Sequence, residues 1–114
     1  MAIYKNITTD QVYPNGHTLI SKIESGVNLS TVDKGDGVMR KIIITNHHAS
    51  DKNTIQLFLD DGAGSPTRYT IAKTVIPAGA TLVLTDGITF DITKYSMKLS
   101  TVDTTATALT VIIK

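Results

Sequence analysis

The chain has 114 residues, 18% of them charged, a formal net charge of +1 and no cysteine. That length carries one hydrophobic core and is too short for two, so a single domain over residues 1–114 is expected. The even charge balance offers no basic surface to release counterions from phosphates, which argues against nucleic acid as a partner, and without cysteine there are no disulfides and no thiolate metal sites.

Thr and Ile are the two most frequent residues and Glu24 is the only glutamate, a bias away from helix formers and toward side chains that suit a pleated surface. Met1 to Thr8 lack the basic start and the apolar stretch of a secretory signal, and no apolar run reaches the length of a membrane span. The expectation is a product made in the cytoplasm, with no membrane partner. Asn6-Ile7-Thr8 and Asn28-Leu29-Ser30, which match the glycosylation pattern, then read as chance matches.

Ile3 to Ile7 and His17 to Ile23 each fit a strand. Between them, Thr8 to Gly16 has no periodicity and carries Pro14-Asn15-Gly16, so residues 1–16 form a loop or an extended arm whose Tyr4 and Tyr13 would pack on another subunit. Val32 to Gly37 reads as a loop. Ile42-Ile43-Ile44 breaks the alternation and places apolar groups on both faces, as in a central strand or one with a covered second face.

From there the period is two. Ile55, Leu57 and Leu59 share a face, as do Tyr69 and Ile71, Leu82 and Leu84, then Ile88, Phe90 and Ile92; Tyr95, Met97 and Leu99 alternate with polar neighbours, and Leu109, Val111 and Ile113 close the chain. Asp60 to Pro66 is a longer loop. Ile76-Pro77-Ala78-Gly79 fits a type I turn and Asp86-Gly87 is a two-residue hairpin signal, so Arg68 to Ile92 is expected to pair consecutively in antiparallel fashion. About eight strands at this spacing predict an all-β, antiparallel two-sheet β-sandwich, jelly-roll-like or Ig-like.

Candidate chemistry is sparse. His47 and His48 are adjacent, so on a strand they point to opposite faces and cannot share one ion; a solvated loop is the simpler reading, and His17 stands alone. Asp33 with Asp36, and Asp60 with Asp61, sit in glycine-rich loops that could supply oxygen ligands to calcium, yet the ligand spacing and terminal glutamate of an EF-hand are missing and turn geometry alone asks for Asp and Gly. No Gly-x-Ser-x-Gly elbow and no P-loop lysine occur. The expectation is a non-enzyme with no cofactor and no metal. Sugar binding is the more serious alternative, but it favours exposed aromatic rings and the chain has no Trp, two Phe and four Tyr.

Protein contact remains. Phe58, Ile43 and Ile112 each lie opposite their alternating neighbours, and with Tyr4 and Tyr13 they are the residues expected at an oligomer or partner interface, unless they fill the second side of central strands.

Several stretches resemble the small β-sandwich structural proteins of tailed bacteriophages: Met1-Ala2-Ile3-Tyr4-Lys5-Asn6-Ile7, Lys41-Ile42-Ile43-Ile44-Thr45-Asn46-His47-His48, Leu57-Phe58-Leu59-Asp60, Ile76 to Leu84, and a final apolar strand at the C-terminus. The resemblance implies a virion location and a capsid cement or decoration role. Its partners would be the major capsid protein or other virion proteins, and the chain would form a homo-oligomer, a trimer in many such proteins. A carbohydrate- or receptor-binding module of a phage tail or neck is the alternative, and the resemblance supplies no site residues.

Overall fold

The computed structural model describes residues 3–22, 38–39, 41–85, 88–102 and 107–114. Among the described residues ten strands follow in chain order: β1 (Ile3–Ile7), β2 (His17–Ile20), β3 (Val38–Met39), β4 (Ile42–Asn46), β5 (Asn53–Asp60), β6 (Arg68–Ile76), β7 (Thr81–Leu84), β8 (Ile88–Thr89), β9 (Ser96–Val102) and β10 (Leu109–Ile113). All pairing is antiparallel, and among the described residues no helix is long and apolar enough to cross a membrane.

One sheet has the order β1-β10-β4-β7, here sheet A, and the other β2-β9-β5-β6, here sheet B; β3 and β8 form a separate short ribbon. With that ribbon set aside, the first of eight strands pairs with the last, the second with the seventh, the third with the sixth and the fourth with the fifth. This is the pattern of one long antiparallel ribbon folded across itself, the jelly-roll order, in which only the β5–β6 hairpin stays within a sheet. The all-β sandwich expected from the alternation is therefore the architecture, and the pairing separates jelly roll from Ig.

The core forms where the inner faces meet. Ile42 and Ile44 of β4 and Leu109, Val111 and Ile113 of β10 point in from sheet A, against Ile55 and Leu57 of β5 and Met97 and Leu99 of β9 from sheet B. At about 25 cal/mol per Å² of apolar area removed from water, this layer is the main stabilising term. Ile7, Leu19, Ile20, Ile76 and Ile92 close its margins. The central position of β4, between β10 and β7, explains the three isoleucines: Ile42 and Ile44 face the core while Ile43 sits half-buried on the outer side.

Two expectations about pairing fail. β6 and β7 do not pair with each other; β6 joins β5, and β7 crosses to β4 in the other sheet. The turn between them is shifted by one residue. Ala80 N–H donates to Pro77 C=O at 3.0 Å, and Gly79 sits at φ 78° in the third position, the signature of a type II turn. Gly79 N–H and Asn46 C=O, 2.8 Å apart, fasten this corner to β4. Nor do β7 and β8 form a hairpin, because β8 pairs with β3; Asp86-Gly87 themselves lie outside the described residues.

The face shared by Tyr69 and Ile71 is also interrupted. Leu57 pairs with Ala72 and Phe58 with Thr70, which leaves Ile71 as the extra residue of a β-bulge. The bulge rephases β6, an edge strand of nine residues, so that its two halves present opposite faces. Such an edge resists adding a further regular strand.

Candidate interaction surface

The segment between β1 and β2 packs on its own chain. Thr101 N–H donates to Gln11 C=O at 2.9 Å, Gln11 N–H returns a bond to Thr101 Oγ1 at 3.1 Å, and His17 Nε2 lies 2.7 Å from Thr9 C=O, to which it must donate. Asp10 Oδ1 accepts from the Thr107 hydroxyl, which in turn accepts from Asn53 Nδ2 at 3.3 Å, and Asn53 Oδ1 receives Val102 N–H at 3.2 Å. Buried polar groups are thus satisfied across the ends of β5, β9 and β10.

This segment decides the fate of Phe58. By strand parity the residue faces outward from sheet B, as the sequence indicates, yet it is 0% exposed. The Tyr13 ring meets it edge-on at 5.0 Å and 81°, and Gly16 passes so close that an added Cβ would lie 3.1 Å from the Phe58 ring. Phe58 is therefore core, under a roof supplied by residues 11–16, and has no surface to offer a partner. Tyr13 spends its buried side on Phe58 and keeps 40% exposure. Beyond Phe58 the same face turns ionic, with Arg68 Nε 2.9 Å and Lys98 Nζ 3.9 Å from the buried Asp60 carboxylate.

The outward face of sheet A is different. The registers Tyr4↔Ile112, Ile112↔Ile43 and Ile43↔Val83 align four apolar side chains in one row across all four strands. At about 4.8 Å per strand the row is roughly 14 Å long. Its ends are the open ones, Tyr4 at 69% and Val83 at 44%, while Ile112 and Ile43 are half-buried between them. The next row is Asn6, Thr110, Thr45 and Thr81, also in register. Thr110 Oγ1 donates to Asn6 Oδ1 at 2.9 Å, and the Thr45 and Thr81 hydroxyls are 2.9 Å apart. None of these eight side chains is charged. A shallow groove of about 550 Å³ runs along the polar row, lined by Asn6, Thr8, Thr45, His47 and Thr110. Three of the five expected interface residues, Tyr4, Ile43 and Ile112, thus fall into one line; Val83, which obeys the same parity rule opposite Leu82 and Leu84, extends it.

The histidines diverge. His47 borders the groove, whereas His48 Nδ1 accepts the backbone N–H of Ser50 at 3.1 Å and of Asp51 at 2.9 Å and so shapes the β4–β5 turn. Asn46, fully buried, completes that turn: its Nδ2 donates to Asp51 C=O and Ile76 C=O, both at 2.9 Å, and its Oδ1 accepts His48 N–H at 3.1 Å. The Asp60-Asp61 pair is likewise engaged in its own loop. Asp60 Oδ1 accepts Gly62 N–H at 2.6 Å, and Asp61 Oδ1 accepts Ala63 and Thr67 N–H, each at 3.1 Å. Among the described residues no three His, Cys, Asp or Glu side chains converge on a point that could hold a metal ion. Asp33 and Asp36 lie outside the described residues.

The bonds from Ala63 and Thr67, set against some desolvation and aided by Lys22 and Arg68, hold the Asp61 carboxyl below the usual carboxylate range. The Thr93 hydroxyl and N–H do the same for Asp91. Tyr95 is pushed up, chiefly by desolvation and then by Tyr69 and the negative charges of Asp61 and Asp91. No family model, curated protein or solved structure matches this chain.

Proposed function

We propose that the protein is a non-enzymatic structural component of a virion, of the capsid cement or decoration type, which attaches to neighbouring coat subunits through the outward face of sheet A. The observation that carries this reading is the uncharged pair of rows across sheet A, apolar from Tyr4 to Val83 and hydroxyl-bearing from Asn6 to Thr81. Such a face loses little on desolvation: the apolar row gains by leaving water, and the polar row is already internally hydrogen-bonded. The strands behind it are held by a continuous ladder and a close-packed core, so docking orders few new degrees of freedom. The jelly-roll order and the resemblance of the strand-and-turn patterns to tailed-phage sandwich proteins support the virion assignment at the level of fold analogy. Homo-oligomers bound to the major capsid protein, trimers among them, follow from the same resemblance.

The test is electron microscopy of virus particles from the source, with an epitope inserted at Gly64, where the β5–β6 loop has open space and lies away from sheet A. Regular labelling of the particle surface is the expected result. Particles that carry no copy of the chain would overturn the assignment.

A further inference from the structure

Two of the four tyrosines gather at one end of sheet B, where Tyr69 opens β6 and Tyr95 stands just before β9. Their rings meet edge to face at 5.7 Å and 85°. Tyr95 is half-buried and fixes the pair, while Tyr69 remains 53% exposed, so a ring of set orientation is presented to solvent. Asp91 C=O accepts Tyr95 N–H at 3.0 Å, and the register Asp60↔Arg68 and Leu59↔Tyr69 sets Asp61 at the Tyr69 end of the β5–β6 hairpin; the negative charges of both aspartates help to push the Tyr95 hydroxyl up. Each carboxylate is oriented through one oxygen only: Asp61 Oδ1 takes Ala63 and Thr67 N–H, and Asp91 Oδ1 takes Thr93 N–H at 3.0 Å and the Thr93 hydroxyl at 2.5 Å. Their Oδ2 atoms have no hydrogen-bond partner among the described residues.

We propose that this corner, Tyr69 with Tyr95, Asp61 and Asp91, is a binding site for a neutral saccharide. A pyranose presents a C–H face that packs on an exposed aromatic ring and vicinal hydroxyls that donate to carboxylates. Both demands are met here by groups already held in place, so little ordering is needed on binding. Two ionised carboxylates disfavour acidic sugars, and Lys22 Nζ, which donates to Asp61 C=O at 2.8 Å, is engaged by the loop backbone. The scarcity of aromatics that argues against sugar binding in the sequence is offset by their placement. The site lies on the opposite sheet from the docking face, so it stands or falls independently of that reading.

The chain has no Trp, so its tyrosines supply the whole intrinsic emission near 300 nm, and titration can be read without a label. The probes are maltohexaose, cellohexaose and chitohexaose, with 3′-sialyllactose as the acidic comparison. The expected result is a saturable change with at least one hexasaccharide at roughly millimolar concentration, weakened by about tenfold in Tyr69→Ala and kept within about threefold in Tyr69→Phe. Asp91→Asn, at an exposed turn, is expected to weaken it as well. No saturable response to any of the three hexasaccharides, a response that Tyr69→Ala leaves intact, or tighter binding of sialyllactose would each overturn the proposal.

Discussion

Replacing Phe58 by Ala measures how much of the fold depends on the roof over sheet B. An exposed apolar residue at an oligomer contact changes monomer stability by no more than about 0.5 kcal/mol when truncated. Phe58 is fully buried between β5 and the segment carrying Tyr13 and Gly16, so its loss removes a whole ring from a packed site. Phe→Ala in such a site costs about 3–5 kcal/mol. Of this, the edge-to-face pair with Tyr13 accounts for about 0.5–1.5 kcal/mol, which a cycle with Tyr13→Ala isolates. Against a typical total of about 5–15 kcal/mol, the variant is severely weakened. Urea unfolding followed by circular dichroism reads the change as a fall in midpoint at constant slope. A loss below about 1 kcal/mol, or no coupling to Tyr13, would refute the assignment of Phe58 to the core.

Three further outcomes follow from the same geometry. Gly16→Ala forces a Cβ to 3.1–3.2 Å from the Phe58 ring, Leu99 C=O and Lys98 Cβ, and is expected to cost about 1–3 kcal/mol by overpacking, read in the same urea titration. Asn46→Ala strands Asp51 and Ile76 carbonyls and His48 N–H at a buried corner; a loss of roughly 2–5 kcal/mol, with faster amide exchange at the β4–β5 and β6–β7 turns, is the expected result. For pH, Asp61 and Asp91 titrate lower in the folded chain than in the unfolded one. Their stabilisation is present above about pH 4 and is lost as pH falls through the depressed folded values. Tyr95 shifts the other way, so its share is present below about pH 10 and is lost as pH rises through the raised folded value. A series of urea midpoints that stayed flat across both windows would contradict these assignments.

What can be read from the chain alone is what a single strand's pleat decides. Ile42 and Ile44, Ile55 and Leu57, Met97 and Leu99, and Leu109, Val111 and Ile113 all point inward, because alternation is a local property of extended backbone. Pairing is not local. Pro77-Ala78-Gly79 has the same turn chemistry whether the chain doubles back in one sheet or steps to the other, so the sequence does not separate a β6–β7 hairpin from the observed crossing. Parity also places Phe58 outward without revealing that Tyr13, far away in the chain, covers it. Likewise it marks Tyr4, Ile43, Ile112 and Val83 as outward one by one, while only the register between four strands lines them up. The Asp10, Thr101, Thr107 and Asn53 network is hidden for a related reason: threonine and asparagine beside turns read as surface, and their burial at the sheet ends needs the folded ribbon.

The role proposed for sheet A is tested most directly by the exposed ends of its apolar row. Tyr4→Asp and Val83→Lys, separately and together, alter side chains that are 69% and 44% exposed and leave the core untouched. Wild-type protein and each variant would be added back to particles from which the endogenous copy has been stripped, and bound protein counted after sedimentation. Saturable binding of the wild type, weakened by about tenfold or more in the double variant at unchanged urea midpoint, is what the account predicts. Equal binding by wild type and double variant would contradict it.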